Sequence, residues 1–343
     1  MNSYILTFKK KVFLSLFLVF FGFVLLDIAL FIQANKMTTK NSYIIGNKSS
    51  QSKFFELNQF YNKDIVFVGS SRTYYHISTN MFKNNNIDIF NFGMSGNQFE
   101  DYPDAINTIK KYTPKKVVVS LSVNRLYENL NKVKNPTLID LKYYFNTNKI
   151  LFLDGFLSYI KGFHTFLTYS EAIFYRINSF YNKFNINEQI NFNSTVGKNN
   201  NIIENYADCE VYDIKKNPDG NSNLKCRNGD GILIGNNIKE DFSNNVIELK
   251  NLSQNTISYI INGIINPLLE KNIEVIIVLE PIFKANYNYD FEEIINKFQN
   301  IKIVDLTKFD IDKEKWADNG HLNNFGRYYY SKYLIELYKN NLL

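Results

Sequence analysis

With 343 residues, 45% of them hydrophobic and 16% aromatic, the chain is long enough for one large domain plus an insertion or a small second domain, and its composition excludes a disordered protein. Its 39 basic and 33 acidic residues leave a formal charge of +6, scattered among Asn and Tyr rather than gathered in one block. A mildly basic surface follows, and no nucleic-acid partner is expected.

Residues 13–32, "FLSLFLVFFGFVLLDIALFI", form an apolar run about as long as a helix needs to cross a bilayer at roughly 1.5 Å per residue. Lys9, Lys10 and Lys11 precede it. The positive-inside bias keeps those lysines cytoplasmic, so the chain beyond about residue 33 is expected on the extracytoplasmic side. The run is longer than a usual signal-peptide core and no clear cleavage site follows, which favours an uncleaved anchor over 1–33. Asp27 within the run either faces a partner helix or lies near enough to the outer interface to be hydrated. Residues 34–60, polar and rich in Asn, Ser and Lys, read as a stalk.

The domain proper, 61–343, contains five β-rich runs: "DIVFVG" (64–69), "IDIFNFG" (87–93), "KKVVVSLS" (115–122), "IEVIIVLE" (273–280) and "IKIVDL" (301–306). Each is apolar at most positions, as in strands covered on both faces, and helix-compatible segments separate several of them. The expected fold is α/β, three layers with a mostly parallel five-stranded sheet in the flavodoxin-like manner. The stretch from about 130 to 250 breaks this rhythm and reads as a helical and loop insertion. It has an aromatic helical part (151–184) and an Asn-rich part (184–204). Its Tyr and Phe residues either pack together or stack on sugar rings. Cys209 and Cys226 bracket a turn-rich segment, and in an oxidising compartment they read as a disulfide, two free thiols being the alternative. No metal site or cofactor is expected, because a zinc cage would need further ligands nearby. The closing segment from Asn323 reads as an amphipathic helix packed on the sheet.

In a doubly wound sheet, ligands gather at the carboxyl ends of the strands. The first strand ends in Gly69-Ser70-Ser71, where a serine on a tight turn can be a helix cap or an exposed nucleophile. The second ends in "NFGMSGNQ", whose Gly93 and Gly96 allow a tight loop with bare backbone. The third ends in "SLSVNR", which places Asn124 just past the strand, as a cap or as a donor to developing negative charge. Of the three histidines, His76 is expected on the helix after Ser71 but pointing away from it, and His164 lies in the aromatic insertion. His321 follows Asp318 by three residues, in a loop before a helix. A carboxylate that holds Nδ1–H leaves Nε2 free to take a proton from a serine.

Taken in order, Gly69-Ser70-Ser71, Asn91 to Gly96, Ser122-Val123-Asn124 and Asp318 to His321 resemble the four blocks of the SGNH (GDSL-like) hydrolase superfamily. The resemblance covers about residues 63–128 and 273–338. Ser70 stands where the family usually has Asp, a variant similar to the membrane-anchored branch of DltD and the alginate O-acetylation proteins. The third block reads Ser122-Val123-Asn124-Arg125 in place of Gly-x-Asn-Asp. The resemblance implies Ser71 as nucleophile, His321 as base and Asp318 as its orienter. The implied oxyanion donors are the N–H of Ser71, the N–H of Gly96 and the side chain of Asn124.

These readings converge on a membrane-anchored esterase or O-acyltransferase that forms an acyl-serine and acts on a cell-envelope polysaccharide. The resemblance also implies a multi-pass acyltransferase partner. The alternatives are a catalytically inactive accessory subunit of the same fold and a carbohydrate-binding protein.

Overall fold

Five parallel strands carry the domain in the computed structural model, which describes residues 11–26, 62–96, 99–110, 112–130 and 208–343 apart from 217–219, 227, 239–245 and 284–285, with isolated positions between 141 and 157. They are β1 (Ile65–Gly69), β2 (Ile89–Gly93), β3 (Lys116–Leu121), β8 (Glu274–Leu279) and β10 (Lys302–Asp305), and every pairing is parallel, in the order β10-β8-β3-β1-β2. All five lie within the runs expected to be strands.

Strand alternation explains why these runs are apolar throughout. Val66, Val68, Val117 and Val119 join one buried cluster, while Ile65, Phe67 and Val118 join another on the opposite face. Helix α3 (Tyr102–Ile109), helix α4 (Gln254–Ile260), which runs on through a π-helical turn at Ile261–Ile265, and helix α5 (Phe291–Lys297) cover the first face. The second face is closed by α2 (Thr79–Asn84) and by the C-terminal α6 (Asn324–Lys339) through Tyr330, Leu334 and Ile335. Between β1 and β2 stands α1 (Ser71–His76), a six-residue helix capped by Ser70, whose hydroxyl accepts from the Arg72 N–H at 3.3 Å.

Successive strands run outward from β1 in two directions, β2 on one side and β3 on the other. That reversal opens a crevice at the carboxyl ends of β1 and β3. Two glycines set how closely α1 lies over it. A Cβ at Gly69 would collide with the Thr73 side chain, and one at Gly93 would run into the backbone of Tyr74. Gly93 is therefore demanded by helix packing rather than by a ligand-approach loop. Gly96, at φ +84° with open space around it, is the turn glycine.

Part of the 130–250 stretch departs from the helical and loop expectation. Residues Val211–Lys216 (β4), Ser222–Cys226 (β5) and Gly231–Ile234 (β6) form an antiparallel sheet. Their sequences, VYDIKK, SNLKC and GILI, are short and mixed in polarity, and consecutive residues of β5 and β6 are buried, so no period-two alternation marks them as strands. Cys209 and Cys226 are joined by a disulfide, Cα atoms 5.8 Å apart. A buried ion pair fixes this sheet to the domain: Asp230, fully buried, accepts from Arg327 on α6 at 2.7 Å, from the Thr79 N–H at 2.9 Å and from Asn91 at 3.1 Å. A further two-residue parallel pair joins β7 (Ile247–Glu248) to β9 (Tyr287–Asn288).

Of the expected membrane span over 13–32, residues 13–26 are described. Residues 11–26 are helical, with Phe13, Leu16 and Phe17 among the exposed side chains, but no helix among the described residues is long and apolar enough to cross a membrane. The rest of that run with Asp27, the expected stalk, the first ten residues of the expected cytoplasmic tip, the Asn-rich part, His164 and most of the aromatic part lie outside the described residues.

Because Asp230 is fully buried, removing it leaves the buried Arg327 guanidinium with only the more distant, partly exposed Asp208 carboxylate at 3.4 Å. Asp230→Ala is expected to lower unfolding stability by about 3–5 kcal/mol, read as a fall in denaturant midpoint, whereas Lys63→Ala, which breaks an exposed pair with Asp88, costs under about 1 kcal/mol.

Candidate active site

The α1 helix begins at the edge of the crevice and its first residue is Ser71. Its Oγ lies 2.8 Å from His321 Nε2, across 250 residues of sequence. The other ring nitrogen, Nδ1, lies 2.9 and 3.0 Å from the two Asp318 oxygens. Hydroxyl, imidazole and carboxylate thus stand in line, all partly exposed, with the His321 side chain 25% and Asp318 34% accessible.

Local chemistry shapes the loop that carries the last two. Trp316 and Leu322 form a β-bridge, and the Ala317 N–H donates to the His321 carbonyl at 2.8 Å, which closes a narrow turn. Inside it, Asp318 Oδ1 accepts from the N–H groups of Gly320 (2.7 Å) and His321 (2.9 Å). Trp316 roots the turn, being 2% exposed with its indole N–H donating to the Ile311 carbonyl. Asn323 ends it by capping α6, accepting from Phe325 and Gly326. Burial pushes the Asp318 carboxyl up, but the hydrogen bond and charge of His321 with the two backbone N–H groups hold it below the usual carboxylate range.

A cleft of about 540 Å³ opens at the Ser71 hydroxyl, lined among others by Gly96, Asn124, Tyr102 and Glu280. Ser71, Gly96, Asn124 and His321 therefore share one cavity, with Asp318 behind the histidine. Asn124 carries a commitment that its sequence position does not disclose: its Nδ2 donates to Glu128 Oε1 at 2.9 Å. Among the described residues no group of three or more His, Cys, Asp or Glu side chains converges as a metal-binding set.

Three participants escape a reading by motif. Arg72 donates from Nε to the Gly320 carbonyl at 3.3 Å and from Nη1 to Ser122 Oγ, and lies 3.6 Å from Glu280. Ser122, the departure in the third block of the resemblance, thus accepts from the residue after Ser71. Glu280, 3% exposed at the end of β8, also accepts from the Thr73 hydroxyl at 3.0 Å. Burial raises its carboxyl pKa against the pull of Arg72 and Thr73. The signal for Glu280 is a carboxylate ending an otherwise apolar buried strand at the edge where ligands gather. His76 is the third. It does not turn idly away from the site, because its Nε2 accepts from the Leu322 N–H at 3.0 Å, 246 residues away. Burial, then the neighbouring His321, Arg72 and Arg327 charges, hold its pKa well below 6.5.

No family model matches this chain, and no curated protein matches it either.

The His76 shift fixes a pH dependence. A histidine kept neutral by burial contributes stability that is whole above pH 6.5 and lost as the pH falls below it, because the unfolded chain then binds the proton more readily. Glu280, with a raised pKa, works in the opposite sense: its contribution is present below 4.5 and fades as the pH rises through its folded value. Denaturant midpoints for wild type and His76→Gln, taken between pH 7.5 and pH 5, are expected to diverge. The wild type loses stability on acidification and the variant, lacking the titrating ring, loses less.

Proposed function

We propose that the chain is an SGNH-type serine esterase or O-acyltransferase working through an acyl-Ser71 intermediate. The observation that carries this reading is the Ser71–His321–Asp318 relay at 2.8 and 2.9 Å, opening on a cleft.

The chemistry follows from the geometry. Ser71 Oγ attacks the ester carbonyl carbon while its proton passes to His321 Nε2, and the carbonyl oxygen becomes an oxyanion. Asp318, kept ionised, holds Nδ1–H and stabilises the imidazolium that results. The N–H groups of Ser71 and Gly96 and the Asn124 proton that Glu128 leaves free are the donors assigned to that oxyanion. Collapse breaks the ester C–O bond, the leaving alkoxide takes the proton from His321, and the acyl group remains on Ser71. Water or a sugar hydroxyl then gives its proton to His321 and attacks the acyl carbon, and collapse breaks the bond to Ser71 Oγ, which takes the proton back from His321 as acid or a new ester is released. Both outcomes share the first half-reaction.

The setting is an envelope one. Lys9, Lys10 and Lys11 ahead of the apolar 13–32 run support a membrane anchor with the domain outside the cytoplasm, and the Cys209–Cys226 bridge suits an oxidising compartment. A cell-envelope polysaccharide as substrate or acceptor, and a multi-pass acyl-supplying partner, complete the proposal.

Turnover of p-nitrophenyl acetate by wild type, Ser71→Ala and His321→Ala tests the reading. Both variants are expected to lose at least about 1000-fold in kcat/KM, and a fluorophosphonate probe is expected to map to Ser71. Ser70→Ala, which removes only a helix cap, still forms the adduct. Equal rates in all three proteins would return the chain to an inactive accessory or glycan-binding role. Acceleration by an added envelope glycan marks the transferase; its absence marks the esterase.

A further inference from the structure

We infer that Arg72 and His76 are positioning residues for acyl transfer, gripping the backbone on both sides of His321 from the helix that carries Ser71. The inference rests on the acyl-serine reading. At about 100° per residue, positions 71, 72, 75 and 76 fall within an arc of about 140° on one helix, so a single face of α1 meets the base loop. Ser71 meets the imidazole itself. Arg72 Nε donates to the carbonyl of the residue before it, Gly320, at 3.3 Å. His76 Nε2 accepts from the N–H of the residue after it, Leu322, at 3.0 Å. Between them the Tyr75 ring stands edge-on to His321, centroids 5.4 Å apart.

Each jaw of this grip is itself held. The Arg72 guanidinium is engaged by Ser122 Oγ and faces Glu280, which ties it to the ends of β3 and β8. His76 is 1% exposed, wedged between Trp316 and Tyr330 with ring centroids at 6.3 and 5.9 Å, and its carbonyl accepts from Ser331. A ring whose Nε2 accepts carries its proton on Nδ1, so only the neutral imidazole can hold Leu322. The need for a grip comes from the loop: His321 follows Gly320 and is partly exposed, while proton transfer from Ser71 tolerates displacements of only about 0.5 Å.

The test uses the full chain in mild detergent, as wild type, His76→Leu, His76→Gln, Arg72→Gln and Arg72→Lys. It measures kcat and KM for p-nitrophenyl acetate, fluorophosphonate labelling, and hydrogen exchange at the Leu322 amide. His76→Leu and Arg72→Gln are expected to lose about 10- to 100-fold in kcat with KM within about two-fold, the cost of a base misplaced by a fraction of an ångström to an ångström. His76→Gln, whose amide oxygen still accepts, recovers most of the rate and keeps Leu322 protected, whereas His76→Leu exposes it to exchange. Arg72→Lys recovers only part, because one ammonium cannot span Gly320 and Ser122 as a planar fork does. A folded His76→Leu or Arg72→Gln with wild-type kcat overturns the inference, as does equal impairment of His76→Gln and His76→Leu. If His76→Leu does not fold, the Arg72→Gln rate decides by the same threshold. Wild type that neither turns over nor labels defeats the acyl-serine reading instead, and so is told apart from a failure of the grip.

Discussion

The contact between Ser71 and His321 spans 250 residues, and it depends on a constraint that neither side chain sets: parallel strands deliver all their carboxyl ends to one edge of the sheet. Ser71 follows β1, Asn124 follows β3 and Glu280 follows β8, while the base loop follows β10 after a short excursion. The strands themselves are mostly apolar, and their polar side chains do not specify this. Their apolar alternation on two faces forces helices onto both sides, the helices force crossover connections, and the crossovers keep the strands parallel. The amino ends carry exposed pairs such as Lys63–Asp88 and Lys115–Asp64, whereas the polar residues that line the cleft collect at the carboxyl edge.

Energetically the domain joins two kinds of adhesive. The sheet and its helices are held by burial of aliphatic and aromatic surface, which is forgiving of detail. The join between the antiparallel β4–β6 sheet and the domain adds to an apolar contact of Leu233 with Tyr74, Tyr75 and Ala317 a polar cluster of Asp230, Arg327 and Asn91, all buried, with the partly buried Thr79. Such a cluster adds little net energy when complete but is severe when broken, so it specifies one docking geometry rather than merely favouring association. The same sheet reaches the site, since Asn223 donates to the Tyr75 hydroxyl at 2.7 Å and Asn221 to the Ala317 carbonyl at 3.0 Å.

Much of this was legible in the sequence because it follows from simple periodicity. Five long apolar runs sufficed to place the central sheet, and the ends of the first three located the candidate residues Ser71, Gly96 and Asn124, whereas His321 stood out through Asp318 three residues before it. What escaped obeys different rules. The strands of β4–β6 are short and half-polar, so alternation cannot separate them from loop. The role of Gly93 depends on how near another element comes, a fact of tertiary packing with no local signature. The work of Arg72 and His76 is invisible for the same reason, because their partners are backbone atoms of a loop some 250 positions away.

Helix α1 spends six residues on at least as many separate obligations. Ser71 faces the imidazole, Arg72 the Gly320 carbonyl, Thr73 Glu280, Tyr74 the backbone at Gly231, Tyr75 Asn223, and His76 the Leu322 amide. Few substitutions satisfy any one of these, and none is relieved by changing another. In a lineage diverging from a common ancestor, this hexapeptide would be the slowest stretch to drift, outlasting the surface helices and the inserted sheet. Distant kin of the chain are therefore best sought with "SRTYYH" and the strand that leads into it.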